Sequence, residues 1–361
     1  MTKPMRLMDT PVDFAKFDIN PNQVELWEGG RRVGTKAGEN EVWYFDGNFS
    51  DGSKFMVGFR PKDPYANHDY DRPNVNIMIT TPEGELFHDF TFVDAKDGSF
   101  SKNQCDVKVG KHYAKGDWTQ YDIHFEADNG VGLTLHYQAI TEPFRQGTSH
   151  IGFGENDEFF HTNLAVPKSK ITGTLTAGGK TWQVEGFGYH DRQWMNTSPM
   201  ALYHHWFWGR AYCQQHTVYI YDFVGAEQYG FKRIPMFGVY DQHGKIIFKT
   251  NGKIECQTEL AFDPIFQKDL PKISRYIFDN GDQKAIVEVE WKQQLEIRPM
   301  YLNATAEQKA QYDAMNIEPN YGRYFADVKL TLIDNNGTQS DTGDMIYEYA
   351  YFGKTHADAG V

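Results

Sequence analysis

Residues 184–210 read VEGFGYHDRQWMNTSPMALYHHWFWGR. This short span holds His190, His204 and His205, Trp194, Trp206 and Trp208, Tyr189 and Tyr203, and the charged residues Asp191, Arg192 and Arg210. Aromatic faces in that density, beside a few titratable groups, are what a deep, mostly apolar pocket with convergent polar groups requires. Rings that only fill a barrel interior are the competing reading; the alternation of polar and aromatic residues here favours a pocket wall. Inside the span, Asn196–Met200 (NTSPM) is the best small-residue and proline break in the chain, which predicts a boundary between an N-terminal unit, 1–197, and a C-terminal unit, 198–361. On that division Tyr189, Asp191 and Trp194 end one unit while His204 to Trp208 begin the next, so the pocket is expected at the interface between them.

Outward from this span the sequence alternates in short runs. Two aromatic-rich segments in EVWYFDGNFSDGSKFMVGFR (41–60) flank an Asp51-Gly52 turn, a strong hairpin signal. Similar runs at 74–80, 86–93, 118–127 and 131–140 are joined by turns at Glu83-Gly84 and Asn129-Gly130, with a loop expected over Pro61–Pro73. Strand chemistry at 170–176 turns at Gly178-Gly179 and returns at 182–187, and it continues after residue 217 in a second set of alternating runs. Residues 1–40 read as irregular apart from one short strand, and 141–167 as a lid-like loop. One helix is predicted at Thr305–Met315, where Thr305 and Gln308 form a capping box. An aromatic content of 15% suits pleated surfaces. The fold class expected is therefore all-β, with antiparallel barrels and one helical excursion.

Composition excludes several roles. At 361 residues the chain suits two domains of ~150 to 200 residues. A net charge of -13 with scattered Lys and Arg leaves no basic field for phosphate backbones, so no nucleic-acid partner is expected. Cys105, Cys213 and Cys256 are odd in number and far apart, the pattern of free thiols in a reducing compartment, with the cytoplasm as default. No apolar run is long enough to serve as an integral membrane segment. Gly186-Phe187-Gly188 lacks the third glycine and following helix of a dinucleotide loop, and no organic cofactor is expected. His190 or His161 could join His204 and His205 around a metal, but no H-x-H, H-E-x-x-H or cysteine pair supplies ligand spacing, and no metal is expected.

Three stretches carry a family resemblance. Glu41-Val42-Trp43-Tyr44-Phe45-Asp46-Gly47, the strand Lys170–Leu175, and Gly186-Phe187-Gly188-Tyr189-His190-Asp191-Arg192-Gln193-Trp194 resemble the E-W-W-Y-x-x-G opening and the G-x-G-x-x-D-x-Q-W signature of the carotenoid 1,2-hydratase (hydroxyneurosporene synthase) and AttH-type family. Kievitone hydratase and fungal lipocalin-like Diels-Alderases are similar. Val42 stands where that family more often has Trp, and His190-Asp191-Arg192 replaces the commoner Asp-His. The resemblance implies two consecutive lipocalin-like barrels. It also implies cofactor-free chemistry on a hydrophobic small-molecule substrate, such as hydration of an isoprenoid double bond.

Hydrating an isolated alkene needs an acid that protonates carbon, a surface that tolerates the carbocation, and a placed water. Asp191 is the expected acid: walled in by Trp194, Tyr189 and Trp206, a carboxyl keeps its proton near neutrality. An Asp that caps a turn, or pairs with Arg192 or Arg210, is the alternative. Tyr189, His190 and His205 complete the expected catalytic set, with a histidine relaying protons or orienting water. Trp194, His204, Trp206, Trp208, Trp43 and Tyr44 are the expected substrate-binding set, their faces suited to a cation. Adjacent residues in a strand point to opposite faces, so only one of His204 and His205 is expected to face the cavity. Two other functions fit the same residues: a lipid-binding barrel without chemistry, and a pericyclase or isomerase in which Asp191 only hydrogen-bonds.

Overall fold

The computed structural model describes residues 2–64 and 68–355, the side chains at 163 and 164 excepted. Its N-terminal strands are β1 (Met5–Leu7), β2 (Asn40–Phe49), β3 (Lys54–Arg60), β4 (Asn74–Thr80), β5 (Leu86–Phe92), β6 (Gly98–Phe100), β7 (Cys105–Val109), β8 (His112–Gly116), β9 (Gln120–Glu126), β10 (Gly132–Ala139), β11 (His150–Phe153), β12 (Glu158–Ala177) and β13 (Lys180–Met195). The later strands are β14 (Tyr203–Cys213), β15 (Thr217–Gly225), β16 (Arg233–Tyr240), β17 (Ile246–Lys249), β18 (Glu255–Asp263), β19 (Lys268–Asp279), β20 (Lys284–Arg298), β21 (Asn320–Asp334) and β22 (Gly337–Tyr351). Helices are few: α1 (Pro11–Lys16), α2 (Pro199–Leu202) and α3 (Ala306–Ala314). The fold is all-β, two consecutive lipocalin-like antiparallel barrels.

Backbone contacts group the chain into two compact units. One holds Leu7–Gly152 and Glu158–Thr197; the other holds the chain from Ser198, with Phe153–Asp157 and the residues up to Arg6. In the first, the strand order is β5-β4-β3-β2-β13-β12-β10-β9-β8-β7-β6; in the second it is β17-β16-β15-β14-β22-β21-β20-β19-β18. Both sheets are wound alike: a meander runs back to the unit's first long strand, which pairs with the unit's last, and the rest follow in descending order. That repeat lies in the topology and not in any sequence period. Each sheet curls around its own apolar core, Trp43, Phe45, Val57 and Ile123 among others in the first and Phe207, Ile220, Phe237 and Val287 in the second.

The predicted hairpins form. At Asp51-Gly52 the Asp51 Oδ1 accepts from Ser53 N at 2.9 Å and Ser53 Oγ at 2.6 Å, and Gly52 takes φ +88°, which a side chain would strain. The one predicted helix is α3, where Thr305 Oγ1 accepts from Gln308 N at 3.2 Å and Gln308 Oε1 accepts from Thr305 N at 2.9 Å. Two expectations need correction. Residues 141–167 are not one loop, because β11 and the first ten residues of the long strand β12 lie within them. Glu155 and Asp157 lie in the short turn between these strands, and Glu158 opens β12. Residues 1–40 also contain α1, whose Thr10 and Asp13 make a capping box. Of the expected loop at 61–73, residues 65–67 lie outside the described residues. Among the described residues no helix is long and apolar enough to cross a membrane, and all three cysteines are free.

Candidate active site

Strand β13 carries the signature between β2 and β12. Its register sets His190 opposite Phe45, Asp191 opposite Tyr44, Arg192 opposite Trp43 and Trp194 opposite Glu41. Residues paired across an antiparallel ladder share a face, and successive residues alternate faces. One face therefore carries Glu41, Trp43 and Phe45 with His190, Arg192 and Trp194, and the other carries Tyr44 and Asp46 with Tyr189, Asp191 and Gln193. The glycines of the motif serve this packing: a Cβ at Gly186 would strike the Asn48 carbonyl, and one at Gly188 the Asp46 carbonyl and the Ile171 side chain.

The first face lines the interior of the N-terminal barrel and is held by a buried ion pair. Arg192, with no exposed surface, donates to Glu41 Oε2 at 2.8 Å, Val42 O at 2.8 Å and Gly30 O at 2.7 Å. Its guanidinium lies 3.6 Å from the centre of the Trp43 ring and 5.4 Å from that of Trp194. Burial pulls the Arg192 pKa down, and the Glu41 carboxylate pulls it back up. His190 stacks on Phe45 with centroids 4.0 Å apart, and its Nδ1 bonds the Tyr44 carbonyl at 2.9 Å. Burial lowers the His190 pKa to about 3. Trp194 stacks on His161 at 3.3 Å, and His161, buried beside His150, is pushed well below the ordinary histidine range.

The second face carries Asp191 and Tyr189, both without exposed surface. Asp191 Oδ1 accepts from Gln193 Nε2 at 3.2 Å. The Tyr189 ring lies 6.3 Å from that of Tyr44, whose hydroxyl donates to Asp46 Oδ2 at 2.9 Å. Here the structure corrects the expected geometry. Trp194 cannot wall in Asp191, because the pleat puts the two on opposite faces of β13. The same pleat separates His190 and Trp43 from Asp191, Tyr189 and Tyr44. Of the two arginines expected as alternative partners for Asp191, Arg192 lies on the opposite face and bonds Glu41, though the Asp191 charge still acts on it. Glu41, in the quoted motif but absent from the expected site, was legible only once its partner across the ladder was known.

In the C-terminal unit, His204 and His205 depart from simple alternation. The β14–β15 register shifts between Tyr203 and His205, and this bulge lets both imidazoles fall together, Nδ1 to Nδ1 at 2.7 Å. The two rings therefore touch although strict alternation would send them to opposite faces. At so short a separation one Nδ1 donates and the other accepts, so the two tautomers are complementary. Beyond the bulge, His205 and Phe207 share the inner face with Tyr349, which lies 5.6 Å from His205. Trp206 and Trp208 take the other face: Trp208 packs on Tyr221 at 4.3 Å, and Trp206 Nε1 donates to Glu348 Oε1 at 3.0 Å. Glu348 also accepts the Tyr321 hydroxyl, and burial raises its pKa. The sequence reading passed over this second carboxyl among rings, although its alternation with Tyr347 and Tyr349 was available. Among the described residues no group of three or more His, Cys, Asp and Glu side chains could hold a metal ion.

Comparison with solved structures shows the same fold at low identity. An AttH-like protein of Nitrosomonas europaea gives a TM-score of 0.61 at 15% identity, covering 91% of this chain and 98% of its own. CghA, crystallised with Sch210972, gives 0.61 at 13% identity over 97% of this chain and 99% of its own. Kievitone hydratase of Nectria haematococca gives 0.54 at 13% identity over 92% of this chain and 98% of its own. No curated protein matches the sequence. The Diels-Alderase-like family model matches residues 31–263, most of the chain, including both β2 and β13. The chain belongs to the Diels-Alderase-like family.

Proposed function

We propose that the protein is a cofactor-free enzyme that acts on a carbon–carbon double bond of an apolar, isoprenoid-like small molecule, with Asp191 as the acid. The observation that carries this reading is the setting of Asp191: a carboxyl with no exposed surface, on the face of β13 that also bears Tyr189 and Tyr44, its Oδ1 accepting from Gln193 Nε2. Protonation of one alkene carbon leaves a cation at the other, and tyrosine faces lower its energy. Water then adds to that carbon, and its extra proton returns to the carboxylate. Asp191 and Tyr189 are the proposed catalytic groups and Tyr44 a substrate contact; His190, Trp43 and Trp194, inside the barrel, position β13. Three cysteines outside any disulfide suit a reducing compartment such as the cytoplasm.

A second reading is supported by the family match over residues 31–263. There the bound polyene cyclises without protonation at carbon, and Asp191 only hydrogen-bonds to a substrate carbonyl. Incubation with a panel of polyenes and prenylated phenols in D2O separates the two. Hydration gives a product heavier by one D2O, with deuterium on carbon. Pericyclic closure gives an isomer without it. No product from any member, with a lipid co-purifying, sinks both readings and leaves a carrier.

A further inference from the structure

We propose that Tyr44 and Asp46 form the base side of the reaction: when water adds to the cation, the Tyr44 hydroxyl takes its proton and passes its own to the Asp46 carboxylate. The inference deepens the proposed function and rests on Asp191 being the acid. On the ladder between β2 and β13, Tyr44 stands opposite Asp191 and Asp46 opposite Tyr189. Residues opposite one another share a face, so two carboxyls and two phenols occupy neighbouring positions of one patch. Within it the Tyr44 hydroxyl donates to Asp46 Oδ2 at 2.9 Å. Asp46 and Asp191 are 2% and 0% exposed, whereas Tyr44 is partly exposed. Water therefore meets the phenol, and the Asp46 carboxylate acts only through it. A hydroxyl both donates and accepts, as a relay requires.

The pair is held from the other side of the sheet. Inside the barrel, His190 Nδ1 bonds the Tyr44 carbonyl at 2.9 Å, and the Tyr137 hydroxyl donates to the Asp46 carbonyl at 3.0 Å. Both His190 and Tyr137 have no exposed surface. The inner face thus clamps the backbone of each member of the pair, the support that a preorganised hydrogen bond needs. Polar groups also flank the phenol on β3. A Cβ at Gly58, opposite Tyr44, would strike Asn76 Oδ1 and the Arg60 guanidinium, so these ends lie over the position beside Tyr44, where they can hold the attacking water.

The protons balance. Asp191 gives its proton to one alkene carbon, and the cation forms at the other. A lone pair of water closes on the cation, one O–H bond of that water breaks, and the electron pair stays with the product oxygen. The proton moves to the Tyr44 oxygen as the Tyr44 proton moves to Asp46. Asp46 then returns it along the same hydroxyl to Asp191, the partner of Tyr44 across the ladder, and both carboxyls are as they began. Tyr44 is in this scheme a catalytic residue, and Asp46 a positioning residue that acts through it.

Incubation of the full chain in D2O with 2-prenylphenol and with farnesol tests the relay. Wild type should give mainly the tertiary alcohol, deuterated on the adjacent carbon, with little deuterium in the recovered alkene. In Asp46→Asn the acid still works, but the added water keeps its proton and leaves again. Alcohol formation should then fall about 100-fold, the scale of a lost general base, while deuterium accumulates in the recovered alkene as the cation gives a proton back to Asp191. Tyr44→Phe should show the same partition, and the double variant should be no slower than either single one, because both cut one path. A merely structural role would lower alcohol and deuterium uptake together. That parallel loss in variants with the circular dichroism of wild type, near wild-type hydration by Asp46→Asn, or additive losses in the double variant would each overturn the relay and leave Asp191 in place. No deuterium on carbon from wild type with either probe would overturn the acid and the relay with it.

Discussion

The strand pairs β2/β13 and β14/β22 hold the same place in two sheets wound the same way, yet their inward faces are built from different chemistry. In the N-terminal barrel that face carries Glu41, Trp43, Phe45, His190, Arg192 and Trp194, with the guanidinium bonded three ways and stacked between indoles. In the C-terminal barrel it carries His205, Phe207, Tyr347, Tyr349 and Tyr351, whose rings pack on one another. A buried charge demands that every neighbouring position serve it, which commits the first interior to its own structure. Tyrosines make no such demand, although the second interior also buries one ion pair, Arg233 to Asp222 at 3.1 Å, with Asp222 opposite Phe207.

The largest effect that would break this contrast is at Arg192. Arg192→Ala leaves Glu41 buried without its cation and should cost the N-terminal unit ~3–5 kcal/mol. Hydrogen exchange of the slowest β13 amides reads that loss; a change of similar size at β22, or none at β13, removes the distinction. Acid should act in the same direction. His150 and His190 have pKa values of about 3 when folded against 6.5 unfolded, so below pH 6.5 the unfolded chain binds protons that the folded one refuses. Stability is full above that pH and falls as it drops toward 3, by up to about 1.4 kcal/mol per pH unit for each histidine. The β13 amides should show this slope, and His190→Phe should flatten it.

Smaller effects sharpen the other side. His205→Phe removes the bond shared with His204 and should cost the C-terminal unit about 1–2 kcal/mol in urea unfolding, most of which His205→Asn should restore. The least is expected from Lys268, whose pKa burial lowers to about 8 from 10.5. Between those values the unfolded chain holds more protons, so the β22 amides should become slightly more protected as pH rises through that window. A decline there would contradict the buried placement of Lys268.

Much of this molecule was legible in the residues because hairpin and cap signals are local. Asp51-Gly52 and Thr305 with Gln308 act on neighbours, and both elements formed where read. The glycines of the motif at 186–194 are local in the same sense, since their spacing reflects how closely β2 approaches β13. What could not be read was the partition of side chains between faces. Listing Asp191, His190 and Trp194 together treats a strand as a cluster, and only the pleat, fixed by pairing with β2, separates them. The His204–His205 contact depends on one unpaired residue against β15, which leaves no local sequence signal. The bulges at Lys272 in β19 and at Lys292 and Leu295 in β20 were equally hidden.

The account rests on the pleat of β13, with chemistry assigned to one side and architecture to the other. Turnover of Asp191→Asn measured beside His190→Phe, on whichever polyene yields product, tests this directly. The prediction is a loss of about 100- to 10,000-fold for Asp191→Asn with its fold intact, the range for removing a general acid, and a change of only about two- to threefold for His190→Phe. Full activity in Asp191→Asn, or an equal collapse in a folded His190→Phe, would contradict it.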